Sequence, residues 1–206
     1  ARSMRDAMPP SAQQSSPETD GLEMILAQTE RVSAISRQIA EFTRPHSPEP
    51  ELLDLNALVR STCKFISYDH RLRAVEVILE LDPAMPALNA IADHITQVLM
   101  NLMINSADAL HGLADRKPAI RVSTGPRNGD ALLIVSDNGC GMDAAVLARA
   151  FEEAFSTKLA GTGRGLGLFL CKMLIEDDGG RIAIESTPGI GTTVTVRVPP
   201  HPRRTL

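Results

Sequence analysis

Four glycines alternate with other residues in the segment 161–168, directly before an apolar pattern typical of a helix. Glycine lets backbone N–H groups approach a ligand closely and adopt positive φ. A helix that begins behind such a loop adds unpaired N–H donors and the positive end of its dipole. Together these features predict a phosphate site, although a flexible solvated loop would also be rich in glycine.

Length and composition predict one medium-sized folded domain with an appendage. The 206 residues are 43% hydrophobic and 22% charged, as in ordinary globular proteins. The formal net charge of −4 argues against a nucleic-acid partner. The sequence contains neither an apolar run long enough for a membrane span nor a secretion signal. We therefore expect a cytoplasmic chain that makes no membrane contact itself.

Residues 1–50 predict a helix that is separate from the rest of the chain. A repeat at alternating spacings of three and four, as in the seam of a helical bundle, consists of Leu22, Ile25, Thr29, Val32, Ser36 and Ile39. Arg44-Pro45 ends this helix, and the proline-rich segment 46–50 has the composition of a linker. We predict a bundle-type helix over 20–44 within a first region 1–46, a domain over 51–200 and a tail over 201–206.

Within 51–200, helical and strand patterns are interspersed. Asp54 is a suitable N-cap for a helix over 55–67. Further helices are predicted over 93–111 and 165–177, with strands over 75–81, 118–123, 131–135, 181–186 and 192–198. The turn-rich segment 125–130 predicts the connection of a hairpin.

Asn101, Asn105 and Asp108 share one polar stripe of the helix predicted over 93–111, because they are spaced i, i+4 and i+7. From the helix alone, the simplest interpretation is a stripe that faces water. The alternative is that amide oxygens, which are hard neutral ligands, help to hold a Mg²⁺ ion that also carries phosphate oxygens.

Asp137 ends a predicted strand and is followed closely by Gly139 and Gly141. Its carboxylate can accept a hydrogen bond from the exocyclic amine of adenine. The glycines beside it would let the backbone approach a flat ligand closely. In isolation, however, the same segment is more often an ordinary turn. Farther along, Lys158 offers a point charge to phosphate or simply lies in solvent.

The order of these motifs resembles the ATP-binding domain of the histidine kinases. That domain belongs to the superfamily shared with gyrase, the MutL-type repair proteins and the large heat-shock chaperones. The resemblance covers about residues 20–200. It implies an α/β fold, more exactly a two-layer α+β sandwich in which helices cover a mixed sheet, preceded by a bundle-type helix.

The resemblance also implies roles for matching residues. Asn105 would coordinate Mg²⁺ and Asn101 would lie beside the phosphates of ATP. Asp137 would bind the adenine amine, and Thr192 would support that contact. Gly139 and Gly141 would shape the backbone beside Asp137, which forms one wall of the adenine site (the Asp137 wall). The phosphate-side lid would include Lys158, Gly161, Gly163, Arg164, Gly165, Leu166 and Gly167. Asn101, Asn105 and Lys158 would thus be the catalytic group.

Asn101 stands where gyrase-like hydrolases carry the glutamate that activates water. An amide cannot act as a general base, so the resemblance implies phosphoryl transfer to a side chain in preference to rapid hydrolysis.

The helix predicted over 20–44 resembles the second helix of the dimerisation and phosphoacceptor hairpin of histidine kinases. The first helix should carry the phosphoacceptor, yet none of the histidines has that context. These are His46, His70, His94, His111 and His201. We expect that helix to be mostly missing ahead of residue 1, so that the chain binds ATP without phosphorylating itself.

The full-length kinase would be a homodimer that passes phosphate to a response regulator receiver domain. It would be cytoplasmic, or the cytoplasmic part of a membrane-bound sensor. Two alternatives remain open at this point. One is a serine kinase of the anti-sigma type, against which the seam helix argues. The other is a degenerate kinase that docks a regulator without nucleotide, against which Asp137 and the glycines argue.

Overall fold

A mixed sheet forms the centre of the described domain in a computed structural model, which describes residues 49–153, 155 and 166–199. The strands of the described chain are β1 (Glu51–Leu53), β2 (Glu76–Leu81), β3 (Leu88–Ala90), β4 (Ala119–Arg127), β5 (Asp130–Asp137), β6 (Arg181–Thr187) and β7 (Gly191–Val198). The main sheet has the order β2-β4-β5-β7-β6, while β1 and β3 pair in a small antiparallel sheet. In the main sheet β2 and β4 are parallel, and the other neighbours are antiparallel.

Helices cover one face of this sheet. The helices of the described chain are α1 (Leu55–Ile66), α2 (Ala92–Ala109), α3 (Ala144–Ala148) and α4 (Gly167–Asp177), with a short 3-10 turn at His70–Leu72. Of these, α3 has no buried residue and does not belong to the covering layer. Side chains are buried at alternate positions in β4 and in the second half of β7, as expected for strands with one covered face, while Ala131, Leu132 and Leu133 are all buried in β5. Helix α2 lies against this face, and its Val98, Leu99 and Met103 are fully buried. This layer of helices on a mixed sheet confirms the predicted fold.

Helix α4 packs against α2 and completes the layer. Near the start of α2, the His94 ring lies 3.0 Å from the carboxylate of Asp178, the C-cap residue of α4. Asp178 is only 5% exposed, so this pair fastens α4 to α2 inside the protein. Within residues 49–153, 155 and 166–199, the structure has no helix that is both long and apolar enough to cross a membrane.

The structure confirms the Asp54 cap, whose carboxylate accepts the Ala57 N–H at 3.0 Å. The predicted hairpin connection over 125–130 is too long. Strand β4 continues through Arg127, and only Asn128 and Gly129 turn the chain, with φ values of 55° and 86°. Two successive positive φ values are typical of the tight type I′ turn that fits strand twist.

Other differences concern short elements that lack a clear pattern. Strands β1 and β3 and helix α3 were not predicted, because three to five residues do not establish a period. Helix α3 does carry a recognisable cap, since Asp143 accepts the Val146 N–H at 2.8 Å. The helix predicted over 20–44 and the tail predicted over 201–206 lie outside the described residues.

Candidate functional site

Asp137 lies at the end of β5, where its carboxylate accepts hydrogen bonds from three directions. Oδ1 accepts the Gly139 backbone N–H at 2.9 Å, and Oδ2 accepts the Ser106 hydroxyl at 3.0 Å. The backbone N–H of Thr192, its register partner on β7, adds a third bond. Burial raises the pKa of Asp137 above its usual value, and these hydrogen bonds pull the pKa part of the way back. The carboxylate is thus held in one orientation and is largely shielded from solvent.

Gly139 is required by close packing of the loop that follows β5 against the end of α2. A Cβ at this position would lie 2.7 Å from the Ala109 carbonyl oxygen. The next residue, Cys140, donates its backbone N–H to that same oxygen at 3.0 Å. No larger residue could keep the loop at this distance, so the backbone forms a flat wall beside Asp137.

Gly141 brings the same loop against the turn between β6 and β7. Its φ is +65°, and an added Cβ would lie 2.0 Å from the Thr187 carbonyl oxygen. Both the backbone conformation and the space therefore exclude side chains here. The two glycines predicted to shape the Asp137 wall thus lie where this loop contacts the end of α2 and the end of β6.

Asn105 and Ser106 connect the Asp137 wall to a second group of residues. Ser106 contacts Asp137, while Asn105 precedes it on α2 and lies beside the start of α4. A Cβ built on Gly167 would lie 3.5 Å from the Asn105 Nδ2 and 4.0 Å from its Oδ1. Adjacent positions of one helix thus reach both the carboxylate and the α4 N-terminus.

Helix α4 presents its N-terminal end next to Asn105. Its N-cap residue, Leu166, gives no side-chain hydrogen bond to the first turn. The eleven residues of this helix place partial positive charge and orphan N–H groups at that end. Such an end can bind an anion, and phosphate is the commonest one.

Asn101 lies one turn before Asn105 and is buried at its amide. Its Nδ2 has no hydrogen-bond partner among the described residues. The amide lies beside the Cys171 thiol on α4, a weak acceptor that leaves the Nδ2 without a full hydrogen bond. Burial raises the pKa of this thiol to about 12, and the Asn101 contact acts against that rise. A buried amide N–H without a partner is costly, so this donor fits a site in which a ligand oxygen completes it.

The polar stripe is only partly exposed to water. Asn101, Asn105 and Asp108 are all partly buried. Asp108 lies 3.5 Å from the guanidinium of Arg71 in the short turn before β2. The stripe is therefore lined by other parts of the protein along its length.

Thr192 lies next to Asp137, and its contact there is made by its backbone. Its hydroxyl lies 2.9 Å from the Ser186 hydroxyl. Ser186 in turn donates to the Gly191 carbonyl at 3.0 Å and accepts the Met142 N–H at 2.8 Å. The Thr192 side chain thus belongs to a network that fastens β6, β7 and the Asp137 loop together.

Sequence reasoning missed two residues of this site. Ser106 falls among the buried apolar residues of its helix, where a hydroxyl needs a hydrogen-bond partner, and this need is the signal that could have identified it. Ser186 gives no such signal, since its partners lie on two other segments, the Asp137 loop at Met142 and strand β7 at Gly191 and Thr192. The predicted positions Lys158, Gly161, Gly163, Arg164 and Gly165 lie outside the described residues.

The donors and acceptors present fit a magnesium nucleotide. The amide oxygen of Asn105 is a suitable hard ligand, while Asn101 and the start of α4 supply donors for phosphate oxygens. On the other side, an acceptor-only carboxylate is suited to an amine of a base. Neither asparagine can take a proton, so no general base stands at these two positions.

Comparisons with known proteins agree with this geometry. Residues 90–202 match the family described as histidine kinase-, DNA gyrase B-, and HSP90-like ATPase. The signal transduction histidine-protein kinase AtoS of Escherichia coli is 32% identical over 183 residues, which is 88% of this chain and 29% of AtoS. The chain thus spans less than a third of this curated relative.

Two solved structures share the fold. The catalytic domain of histidine kinase ThkA, in a nucleotide-free form, superposes with a TM-score of 0.65 and 26% identity. That match covers 75% of this chain and 97% of the ThkA domain. ThkA in complex with the response regulator protein TrrA gives a TM-score of 0.62 and 23% identity, over 93% of this chain and 54% of that one.

The family match covers more than half of the chain and includes Asn101, Asn105, Asp137 and Thr192. The chain belongs to the histidine kinase-, DNA gyrase B- and HSP90-like ATPase family, and its domain is the ATP-binding catalytic domain of the sensor histidine kinases.

Proposed function

We propose that this chain binds MgATP between the Asp137 wall and the N-terminus of α4. In the longer protein to which it belongs, it would transfer the γ-phosphoryl group to a histidine on a helix outside this chain. The observation that carries the proposal is the position of α2. Adjacent residues of that helix reach both sides, since Ser106 holds Asp137 and Asn105 lies beside the first turn of α4.

Each end of the nucleotide would meet a different chemistry. Asp137 would accept the adenine amine against the wall shaped by Gly139 and Gly141. Asn101 and the start of α4, with Leu166 and Gly167, would donate to phosphate oxygens. Lys158, Gly161, Gly163, Arg164 and Gly165 complete the lid in this proposal.

Asn105 would hold Mg²⁺ through its amide oxygen. When bound, the ion would neutralise charge on the phosphate oxygens. The transfer breaks the bond from the γ-phosphorus to the bridging oxygen, which leaves ADP. A bond forms to a histidine nitrogen, whose proton passes to solvent. Because Asn101 is an amide, it positions phosphate and cannot activate water, which favours transfer to the histidine.

The rest of the organisation follows from the same proposal. Residues 1–46 would be part of a dimerisation hairpin with its second helix over 20–44, followed by the catalytic domain over 51–200 and a tail over 201–206. The working protein would be a homodimer that uses its kinase domain in the cytoplasm. A response regulator receiver domain would be the acceptor of the phosphate, in line with the ThkA–TrrA complex as an example from a protein of the same fold.

Calorimetric titration of MgATP into the chain tests the proposal directly. We expect binding by the wild type. Asn105→Ala should weaken binding with Mg²⁺ by roughly tenfold and leave metal-free nucleotide binding nearly unchanged. Absence of binding by the wild type would refute the proposal, and equal losses with and without metal would refute the ligand role of Asn105.

The phosphoacceptor needs the longer protein. After incubation with MgATP, we expect phosphate that is labile in acid and stable in base, as for phosphohistidine. Acid-stable phosphate would instead indicate a serine kinase, and no phosphate despite ATP binding would indicate a docking module.

A further inference from the structure

Arg116 lies in the loop between α2 and β4 and contacts the wall behind Asp137. Its Nε donates to the Asn138 carbonyl at 2.9 Å. Its Nη2 donates to the carbonyls of Gly139 at 3.2 Å and Gly189 at 2.7 Å. One guanidinium therefore binds the loop after β5 and the turn between β6 and β7 at once.

The nearby carboxylate does not account for this position. Asp115 lies 3.8 Å from Arg116 and is 70% exposed, so the ion pair is weak. Arg116 itself is about one-third exposed, and its N–H groups donate to main-chain carbonyl oxygens. A guanidinium presents its donors along different edges of a rigid plane, whereas an ammonium group presents all of its donors from one nitrogen and cannot reproduce that geometry.

The bond from Arg116 to Asn138 acts on the same peptide group that fixes Asp137. The Asn138 carbonyl and the Gly139 N–H are the two ends of one planar peptide unit. Arg116 binds the carbonyl end, and the N–H end donates to Asp137 Oδ1 at 2.9 Å. Hydrogen bonds in such a chain polarise one another, so the cation strengthens the donor that orients the carboxylate.

Three further hydrogen bonds prevent this peptide from moving alone. The Asn138 side chain accepts the Ala119 N–H at 2.9 Å and donates to the Lys117 carbonyl at 2.9 Å. The Gly189 N–H donates to the Cys140 carbonyl at 2.7 Å. Arg116 thus links the contacts of Asn138 and those of Gly189 to the 138–139 peptide, which orients Asp137.

We propose that Arg116 is a positioning residue for recognition of the base. It fixes the 138–139 peptide and, through that peptide, the direction in which Asp137 presents its carboxylate to an exocyclic amine. This inference rests on the proposed function, in which Asp137 binds the adenine amine.

The test compares ATP with purine riboside triphosphate, which lacks only the exocyclic amine. In the wild type, the ratio of the two dissociation constants measures the contribution of the amine contact. Arg116→Ala should weaken ATP binding roughly tenfold and binding of the amine-free analogue much less. The ratio of the two dissociation constants should therefore approach one. A merely structural role would weaken both nucleotides to the same extent.

Arg121→Ala is the matched control. Arg121 lies on β4 and pairs with Glu80 on the far face of the sheet, with both side chains half exposed. This variant should leave both affinities unchanged. Arg116→Lys keeps the charge without the fork and should fall between the wild type and Arg116→Ala; it also serves if the alanine variant does not fold.

The outcomes separate this inference from the proposed function. If Asp137→Asn loses the preference for ATP while Arg116→Ala and Arg116→Lys keep it, the role of Arg116 is overturned and the function stands. If Asp137→Asn itself keeps the preference, the role of Asp137 in base recognition fails and the Arg116 inference fails with it.

Discussion

The two sides of the site differ in how far the protein satisfies its own polar groups. On the base side, Asp137 accepts from Gly139, Ser106 and Thr192. On the phosphate side, the Nδ2 of Asn101 is buried among the described residues with no full hydrogen bond, beside only the weakly accepting Cys171 thiol. The first side is arranged before any ligand arrives. The second contains a donor whose burial is costly until a ligand oxygen meets it.

This difference predicts opposite consequences for stability. Removing a group from the base side breaks hydrogen bonds that already exist in the free protein. Removing the orphan donor from the phosphate side takes away a cost that the free protein bears. Both changes weaken nucleotide binding, so the free energy of unfolding is the quantity that distinguishes the two sides.

The largest effect is expected from Asp137→Asn. The amide keeps the shape of the side chain but loses the charge that accepts the adenine amine. Charged hydrogen bonds are worth about 1.5–3 kcal/mol, so ATP affinity should fall on the order of 100-fold in calorimetry.

The same variant tests whether the base side is as well arranged as the contacts indicate. It removes the burial cost of the charge and also its charged hydrogen bonds, so the free energy of unfolding should change by only about 1 kcal/mol. Loss of folding would mean that Asp137 is chiefly structural, whereas unchanged affinity would remove it from the site.

The next effect concerns the close approach of the Asp137 loop to the turn between β6 and β7. Gly141→Ala should destabilise the protein by roughly 2–4 kcal/mol, since Cβ would lie 2.0 Å from a backbone oxygen. Chemical denaturation measures this loss.

Gly112→Ala is the matched control, with a similar φ of +78° and open space around the added Cβ. It should lower the free energy of unfolding by only about 1 kcal/mol, because an alanine is strained at positive φ. Equal losses in the two variants would show that packing at Gly141 contributes nothing.

The residues that the sequence predicted best are those whose chemistry is local. Asp54 caps its helix as predicted, and Asp137 ends its strand before the two glycines. The helical period also brought Asn101 and Asn105 to one stripe of α2. These features depend on spacing along one element, which the chain encodes directly.

Contacts between distant segments could not be predicted in the same way. Arg116 contacts residues 22, 23 and 73 positions away, and nothing near it in the sequence marks it. The stripe of α2 seemed solvated because the helix alone does not reveal that α4 and Arg71 cover it. Tertiary packing decided these cases, and patterns within one element do not contain it.

A smaller effect is expected from pH. Burial raises the pKa of Asp137, so its carboxylate takes up a proton at a higher pH than an ordinary aspartate. ATP affinity should be constant above that pKa and fall by up to tenfold per pH unit below it. The amine-free analogue shares the phosphates of ATP and should show a much flatter profile, which calorimetry in a series of buffers would reveal.

The stability of the free protein should respond to Asp137 in the opposite sense. A carboxyl whose folded pKa is raised stabilises the fold while protonated, and this contribution is lost as pH rises through the folded pKa. Asp137→Asn should remove that part of the dependence. If wild type and variant unfold with identical pH profiles, the carboxyl is not desolvated as its burial indicates.

The smallest effect tests the comparison most directly, through two polar residues of the same helix. Asn101→Ala removes the orphan donor and should leave the free energy of unfolding unchanged or raise it by up to about 1 kcal/mol. Ser106→Ala removes the hydroxyl that Asp137 accepts and should lower it by about 1 kcal/mol. Both should weaken MgATP binding several-fold. If Asn101→Ala were the more destabilising of the two, the phosphate side would be satisfied without ligand and the contrast between the two sides would fail.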